Sequence, residues 1–313
     1  MTAAGTGSPP AFDGDSAGRE LSFDEGRTGR HLADISEAGR GALVGFLHVG
    51  FPNVPTSLDA MRTLTGGGDS PGVDMVEVGM PYSDPMMDGV IIQRAATRAL
   101  QRGVRTRDVF AAVEAVASTG TPVVVMTYWN LIERYGAQAF ARDLAAAGGS
   151  GAITPDLTPD EAGAWFHASD QHALDRIFLV SPSSSDARIA STVAACRGWV
   201  YATSVMGVTG ARAQSSIAAP ELVRRVRAAD ANAMVGVGLG VSNGTQAWEV
   251  SRYADAVIVG SLLVKSLVDA DDAGTPADLS RLRAVVADLA EGVRRGKPDG
   301  AGTSGRASGL IGA

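Results

Sequence analysis

Eight short runs of strand-forming residues alternate with longer, helix-type stretches, and this alternation most narrows what the chain can fold into. The runs lie at 43–49, 74–79, 122–128, 151–155, 176–181, 199–203, 233–239 and 255–260. Most are near-continuous in Val, Ile, Leu and Met, as parallel strands covered by helices require. The intervening stretches at 57–64, 107–118, 137–147, 159–168, 185–196, 219–229 and 244–253 are rich in Ala, Arg, Glu and Asp. Several open on a start signal, such as Thr158 followed by Pro159, Asp160 and Glu161. Eight βα units predict an α/β fold, a (β/α)8 TIM barrel in a single domain. A doubly wound open sheet alternates in the same way, but no GxGxxG motif follows the first strand, where a dinucleotide fold would place it.

Composition bounds the setting. The barrel domain is expected over 28–294, with disordered tails at 1–27 and 295–313 that are rich in Gly and other small residues. The N-terminal stretch has no basic start and no apolar core, so it is not a secretory signal. No run reaches the roughly 18 uninterrupted apolar residues of a membrane span. The net charge of −7 leaves no electrostatic footprint for nucleic acid. Cys196 is the only cysteine, which excludes an intrachain disulfide and a cysteine zinc site and fits a reducing compartment. A soluble cytoplasmic protein is expected.

In a barrel the chemistry sits on the loops after the strand C-termini. The segment from Asp74 to Gly89 is the richest of these, with Glu77 inside an apolar strand. Alternation puts Met75, Glu77 and Gly79 on one face. If that face is the barrel interior, the carboxyl is costly to ionise, its pKa rises, and it suits general acid/base work. A structural glutamate hydrogen-bonded inside the barrel is the other reading. Asp84 and Asp88 follow in a loop stiffened by Pro81 and Pro85. Spacing alone leaves either aspartate open as a plain turn residue.

Three glycine turns close the last βα units: Gly207–Gly210, Gly236–Ser242 and Gly260–Ser261. Glycine lets backbone N–H groups approach an anion, and a helix N-terminus favours one, so the three together point to a phosphate monoester. Scarcity excludes other chemistries. The only lysines, Lys265 and Lys297, lie in the last helical region and the tail, so neither suits a Schiff base or a pyridoxal phosphate aldimine. Of the four histidines only His48 is near a strand end on the active face, so a histidine metal site is not expected. No serine sits in a Gly-x-Ser-x-Gly elbow. What remains is carboxylate chemistry without cofactor or metal on a phosphorylated substrate.

The segment Val76-Glu77-Val78-Gly79-Met80-Pro81-Tyr82-Ser83-Asp84-Pro85, continued by Asp88-Gly89 and Ile92-Gln93, resembles the signature of the tryptophan synthase alpha subunit family. Met126-Thr127-Tyr128 with Asn130, Pro155-Asp156-Leu157, Tyr201, Gly207–Gly210, Gly238–Ser242 and Gly260-Ser261 follow in matching order, so the resemblance spans roughly residues 30–270. It implies retro-aldol cleavage of indole-3-glycerol phosphate to indole and glyceraldehyde 3-phosphate, a step of tryptophan biosynthesis. By resemblance, Glu77 and Asp88 are the catalytic carboxyls, and Tyr201 stands near the glutamate. Phe46 and Tyr128 line the indole pocket, and Thr209, Gly210, Gly240, Gly260 and Ser261 bind the phosphate. The partner implied is a pyridoxal-phosphate beta subunit in an alpha2beta2 tetramer, receiving indole near Tyr82–Pro85 and Gly207–Gly210. The cofactor belongs to that subunit alone. Departures from the pattern are Val90, where the family usually has proline, His48, where it usually has threonine or a small residue, and an insertion at 66–71. These leave a non-catalytic activator of a beta subunit as one alternative and a free-standing, indole-releasing lyase as another.

Overall fold

Strand β1 (Ala42–His48) is buried along its whole length and apolar on both faces up to His48 at its end, as a strand between a packed interior and a helical coat must be. It appears in a computed structural model that describes residues 21–68, 70–203, 212–238 and 240–296. Helix α1 (Gly26–Glu37) precedes it. The chain then runs α2 (Val54–Leu64), β2 (Met75–Gly79), α3 (Val90–Gln101), α4 (Thr106–Ala117), β3 (Val123–Met126), α5 (Trp129–Tyr135), α6 (Ala137–Ala146) and β4 (Gly151–Ile153). It continues through α7 (Gly163–Gln171), β5 (Asp175–Ile177), β6 (Leu179–Val180), α8 (Asp186–Ala195), β7 (Val200–Thr203), α9 (Arg212–Ala229), β8 (Val235–Gly238), α10 (Gly244–Ser251), β9 (Ala256–Val259), α11 (Ser261–Asp272) and α12 (Ser280–Arg294).

All strand pairs are parallel, in the order β5-β4-β3-β2-β1-β9-β8-β7-β6. The two edges of this sheet, β5 and β6, are halves of one predicted run, interrupted at the buried Phe178. The carbonyl of Phe178 still accepts from the Tyr201 N–H at 3.1 Å. The sheet is therefore a (β/α)8 barrel with its fifth strand broken in the middle. Its interior is filled by Val44, Met75, Val124, Ile153, Ile177, Trp199 and Ile258. A second, larger apolar shell lies between strands and helices.

The sequence reading differs from this structure in instructive places. The predicted helix at 57–64 starts earlier, at Val54, because the Asn53 side chain caps the Thr56 N–H at 2.9 Å. The one predicted at 159–168 is a 3-10 turn (Pro159–Glu161) followed by α7. That at 219–229 begins at Arg212 and runs through Pro220. Helix α1 was not expected as a helix, and it begins at Gly26, inside the stretch assigned to the N-terminal tail. Residues 1–20 and 297–313, which carry the rest of the two tails, lie outside the described residues.

Helix α1 closes the bottom of the barrel: its Leu32, Ala33 and Ile35 join the interior cluster. It has no side-chain cap of its own. Instead the buried Asp175 of β5 accepts from the N–H groups of Arg27 and Thr28 and from the Thr28 hydroxyl, the last two at 2.6 Å. A distant carboxylate thus does the work of an N-cap. The approach is so close that a Cβ on Gly26 (φ +54°) would lie 2.1 Å from a carboxylate oxygen. Asp175→Ala strands these donors in the interior and is expected to cost about 2–4 kcal/mol. Urea unfolding checks this, and a loss below about 0.5 kcal/mol would show that α1 is not anchored there.

Candidate active site

The site is built on β1 and β2. Their register sets Phe46 opposite Glu77 and His48 opposite Gly79. Because Met75 packs in the interior cluster, the alternation of β2 turns Glu77 inward. Glu77 is 1% exposed, and its Oε2 has no hydrogen-bond partner among the described residues. Gly79 is a glycine of necessity: a Cβ there would meet the Phe46 ring at 2.4 Å and His48 Nδ1 at 2.8 Å.

Burial pushes the Glu77 carboxyl up to about 8, and the charge of Asp88 adds to the shift. Burial also lifts Asp88, to about 6. Tyr201, on β7, is raised well above its ordinary value by burial and then by Glu77 and Asp88. The three groups therefore share one electrostatic neighbourhood. Near neutrality Glu77 holds its proton and Asp88 is ionised, which separates a proton donor from a charged acceptor. Asp84 stands apart. It is exposed and accepts from the Ser83 hydroxyl at 2.6 Å, as a turn residue does.

The loop that carries Asp88 is held from several sides. The Tyr128 hydroxyl accepts from the Met87 N–H at 3.0 Å, and the Asp88 carbonyl accepts from the Gln93 side chain at 2.9 Å. Tyr128 stacks on Tyr82 with ring centroids 4.8 Å apart, so one predicted pocket residue also braces the loop that carries Asp88. Tyr82 was assigned from sequence only to a partner face, and nothing in its spacing signals the stack. Asp156, quoted only as part of the resemblance, holds the Trp129 N–H at 2.9 Å at the start of α5.

The described turns expected to hold a phosphate lie at the ends of β8 and β9. Gly260 precedes α11 with no side-chain cap, leaving the first N–H groups of that helix for an anion. A Cβ at Gly260 would lie 3.3 Å from Phe46 and 3.4 Å from Ile92, so this turn adjoins the predicted indole pocket. Ser261 opens α11, and its Oγ is 3.8 Å from where a Gly89 Cβ would stand. The starts of α3 and α11 therefore meet over the pocket. Gly240 follows β8 at φ +68°, a conformation that suits glycine. Thr209 and Gly210 lie outside the described residues. Lys265 is paired on the surface of α11 with Asp269, at 2.7 Å, away from the strand ends.

The family model described as tryptophan synthase alpha chain matches residues 32–294. The tryptophan synthase alpha chain of Salinispora tropica is 58% identical over 260 residues, which cover 83% of this chain and 95% of its own. That of Mycobacterium avium is 58% identical over 256 residues, covering 82% and 90%. A structure of Mycobacterium tuberculosis tryptophan synthase superposes with a TM-score of 0.79 at 54% identity, covering 87% of this chain and 99% of that one.

Proposed function

The chain belongs to the tryptophan synthase alpha chain family, lyases that act on indole-3-glycerol phosphate, and on that premise we propose that Glu77 and Asp88 are its catalytic pair. The observation that carries the assignment is the buried Glu77 carboxyl, its Oε2 without a partner among the described residues, standing opposite Phe46 within the field of Asp88.

Indole lies between Phe46 and Tyr128. The phosphate lies on the turns at Gly240 and Gly260–Ser261, completed by Thr209 and Gly210. Glu77 gives its proton to indole C3. The ring nitrogen becomes positive, and ionised Asp88 accepts its N–H and stabilises the charge. The Glu77 carboxylate then takes the proton of the hydroxyl on the carbon bound to C3. The bond between that carbon and C3 breaks, its electrons return to the ring, and the hydroxyl carbon leaves as the aldehyde. Glu77 is protonated again at the end, so the cycle closes without cofactor or metal. Tyr201 borders the two carboxyls, close enough to sense both.

We assign pyridoxal phosphate to a beta subunit, with an alpha2beta2 tetramer as the assembly. Support comes from the surface beside the catalytic loop, where Met86, Met87 and Val90 are 91%, 56% and 79% exposed. Apolar groups this open next to an active site suit a partner face. No helix among the described residues is long and apolar enough to cross a membrane, and the cytoplasm is the compartment we assign. The test is cleavage of indole-3-glycerol phosphate by the purified chain, with and without a beta subunit. Turnover that beta accelerates and that Glu77→Gln abolishes is the expected result. Fast turnover indifferent to beta indicates a free-standing enzyme. No turnover, with beta's own reaction still accelerated, indicates an activator and overturns the assignment.

A further inference from the structure

His48 ends β1 on the barrel side of the strand, two residues beyond Phe46, and is 4% exposed. Its ring meets that of Phe46 edge-on, with centroids 5.0 Å apart, and its Nδ1 crosses the inward side of Gly79. Neither ring nitrogen makes a well-formed hydrogen bond among the described residues, and the backbone at Gly79 and Ile92 offers only weak, poorly aligned contacts. Burial holds the imidazole neutral, with its pKa lowered to about 4 despite the backbone at Gly79 and Ile92, which favours charge. A neutral imidazole offers one donor and one acceptor. Burying both without partners is costly unless something else meets them.

The position suggests what that is. Strand β1 lies between β2, which carries Glu77, and β9, which leads to Gly260 and Ser261. Two residues along a strand are about 7 Å, so His48 stands one step nearer the barrel mouth than the Phe46–Glu77 layer. The chain joining indole to phosphate carries two hydroxyls. One is consumed by cleavage and faces Glu77. The other, on the middle carbon, lies one step nearer the phosphate and takes no part in bond breaking.

We propose that His48 hydrogen-bonds this middle hydroxyl and thereby selects a glycerol chain over a deoxygenated one. The assignment rests on the lyase reading of the site given above.

The test compares kcat/KM for indole-3-glycerol phosphate and for the analogue whose middle hydroxyl is replaced by hydrogen. Wild type is expected to lose about 10- to 100-fold on the analogue, the usual consequence of leaving a built polar site unpaired. His48→Phe keeps the ring but not the nitrogens, and it should cleave both compounds within about threefold of each other. His48→Gln should restore part of the discrimination. His48→Leu, which also lacks the nitrogens, serves if the Phe variant does not fold, and thermal unfolding reports on that. A His48→Phe or His48→Leu enzyme that still discriminates as wild type does overturns the proposal. So does an equal loss on both compounds, which would make His48 a packing residue. Failure of the wild type to cleave the natural substrate would remove the lyase reading itself, a separate outcome.

Discussion

Glu77→Gln is expected to lower kcat/KM for cleavage by about a thousandfold and, at the same time, to stabilise the folded chain above neutral pH. The first effect is the usual size of a lost general acid/base group. The amide nearly matches the carboxyl in shape but can neither give nor take the proton. The second effect follows from burial. The carboxyl ordinarily ionises near 4.5, and in the folded chain it does so at about 8. Below pH 4.5 folded and unfolded chains both hold the proton, and Glu77 costs nothing. As pH rises from 4.5 to 8 the unfolded chain ionises while the folded one does not, so stability is lost across that window. Above 8 no more is lost. Glutamine titrates in neither state, so its advantage should open over the same window and reach about 2–4 kcal/mol at pH 8. Urea unfolding of both proteins at pH 4.5 and pH 8 checks this. A difference that does not grow with pH would mean that Glu77 is not held protonated, and the proton-donor role would fall with it.

Asp88→Asn should cost about 100- to 1000-fold in kcat/KM, because the positive indole nitrogen then loses its charged acceptor. It should also change the pH profile. The active form needs Asp88 ionised and Glu77 protonated, which confines wild-type activity to the interval between about 6 and about 8. The substrate phosphate also titrates near about 6, so the acid limb has two sources. The alkaline limb belongs to Glu77. The negative charge of Asp88 helps to raise Glu77, so removing it should move that limb to lower pH. An alkaline limb that stays in place would show that the two carboxyls do not sense each other, and the paired assignment would fail.

The barrel was legible because each strand carries its own signal. Val123–Met126 or Ala256–Val259 can be read locally, since a strand coated on both faces is apolar at every position. Glu77 was legible for the converse reason: one carboxyl at an inward position of such a strand breaks the rule that fills the rest of it. The glycine before α11 was legible as a turn. Helix α1 was not. Its sequence GRTGRHLADISE contains two glycines in the first turns, and what orders it is Asp175, far along the chain. The break of the fifth strand at Phe178, the stacking of Tyr82 on Tyr128 and the support of Met87 by the Tyr128 hydroxyl are likewise pairings between distant segments.

His48 shows the division within one residue. Sequence placed it at the end of the first strand and marked it as a departure from the family pattern, with no means of saying whether it faced solvent, core or substrate. Periodicity, composition and turn chemistry are properties of neighbouring residues, so they fixed the eightfold alternation, the inward carboxyl and the ends of the strands where chemistry sits. Burial, electrostatic neighbourhood and the identity of a hydrogen-bond partner depend on which distant segments meet. Only the closed barrel could decide that Glu77 keeps its proton, that Asp88 stays charged beside it, and that His48 is buried against Phe46 and Gly79.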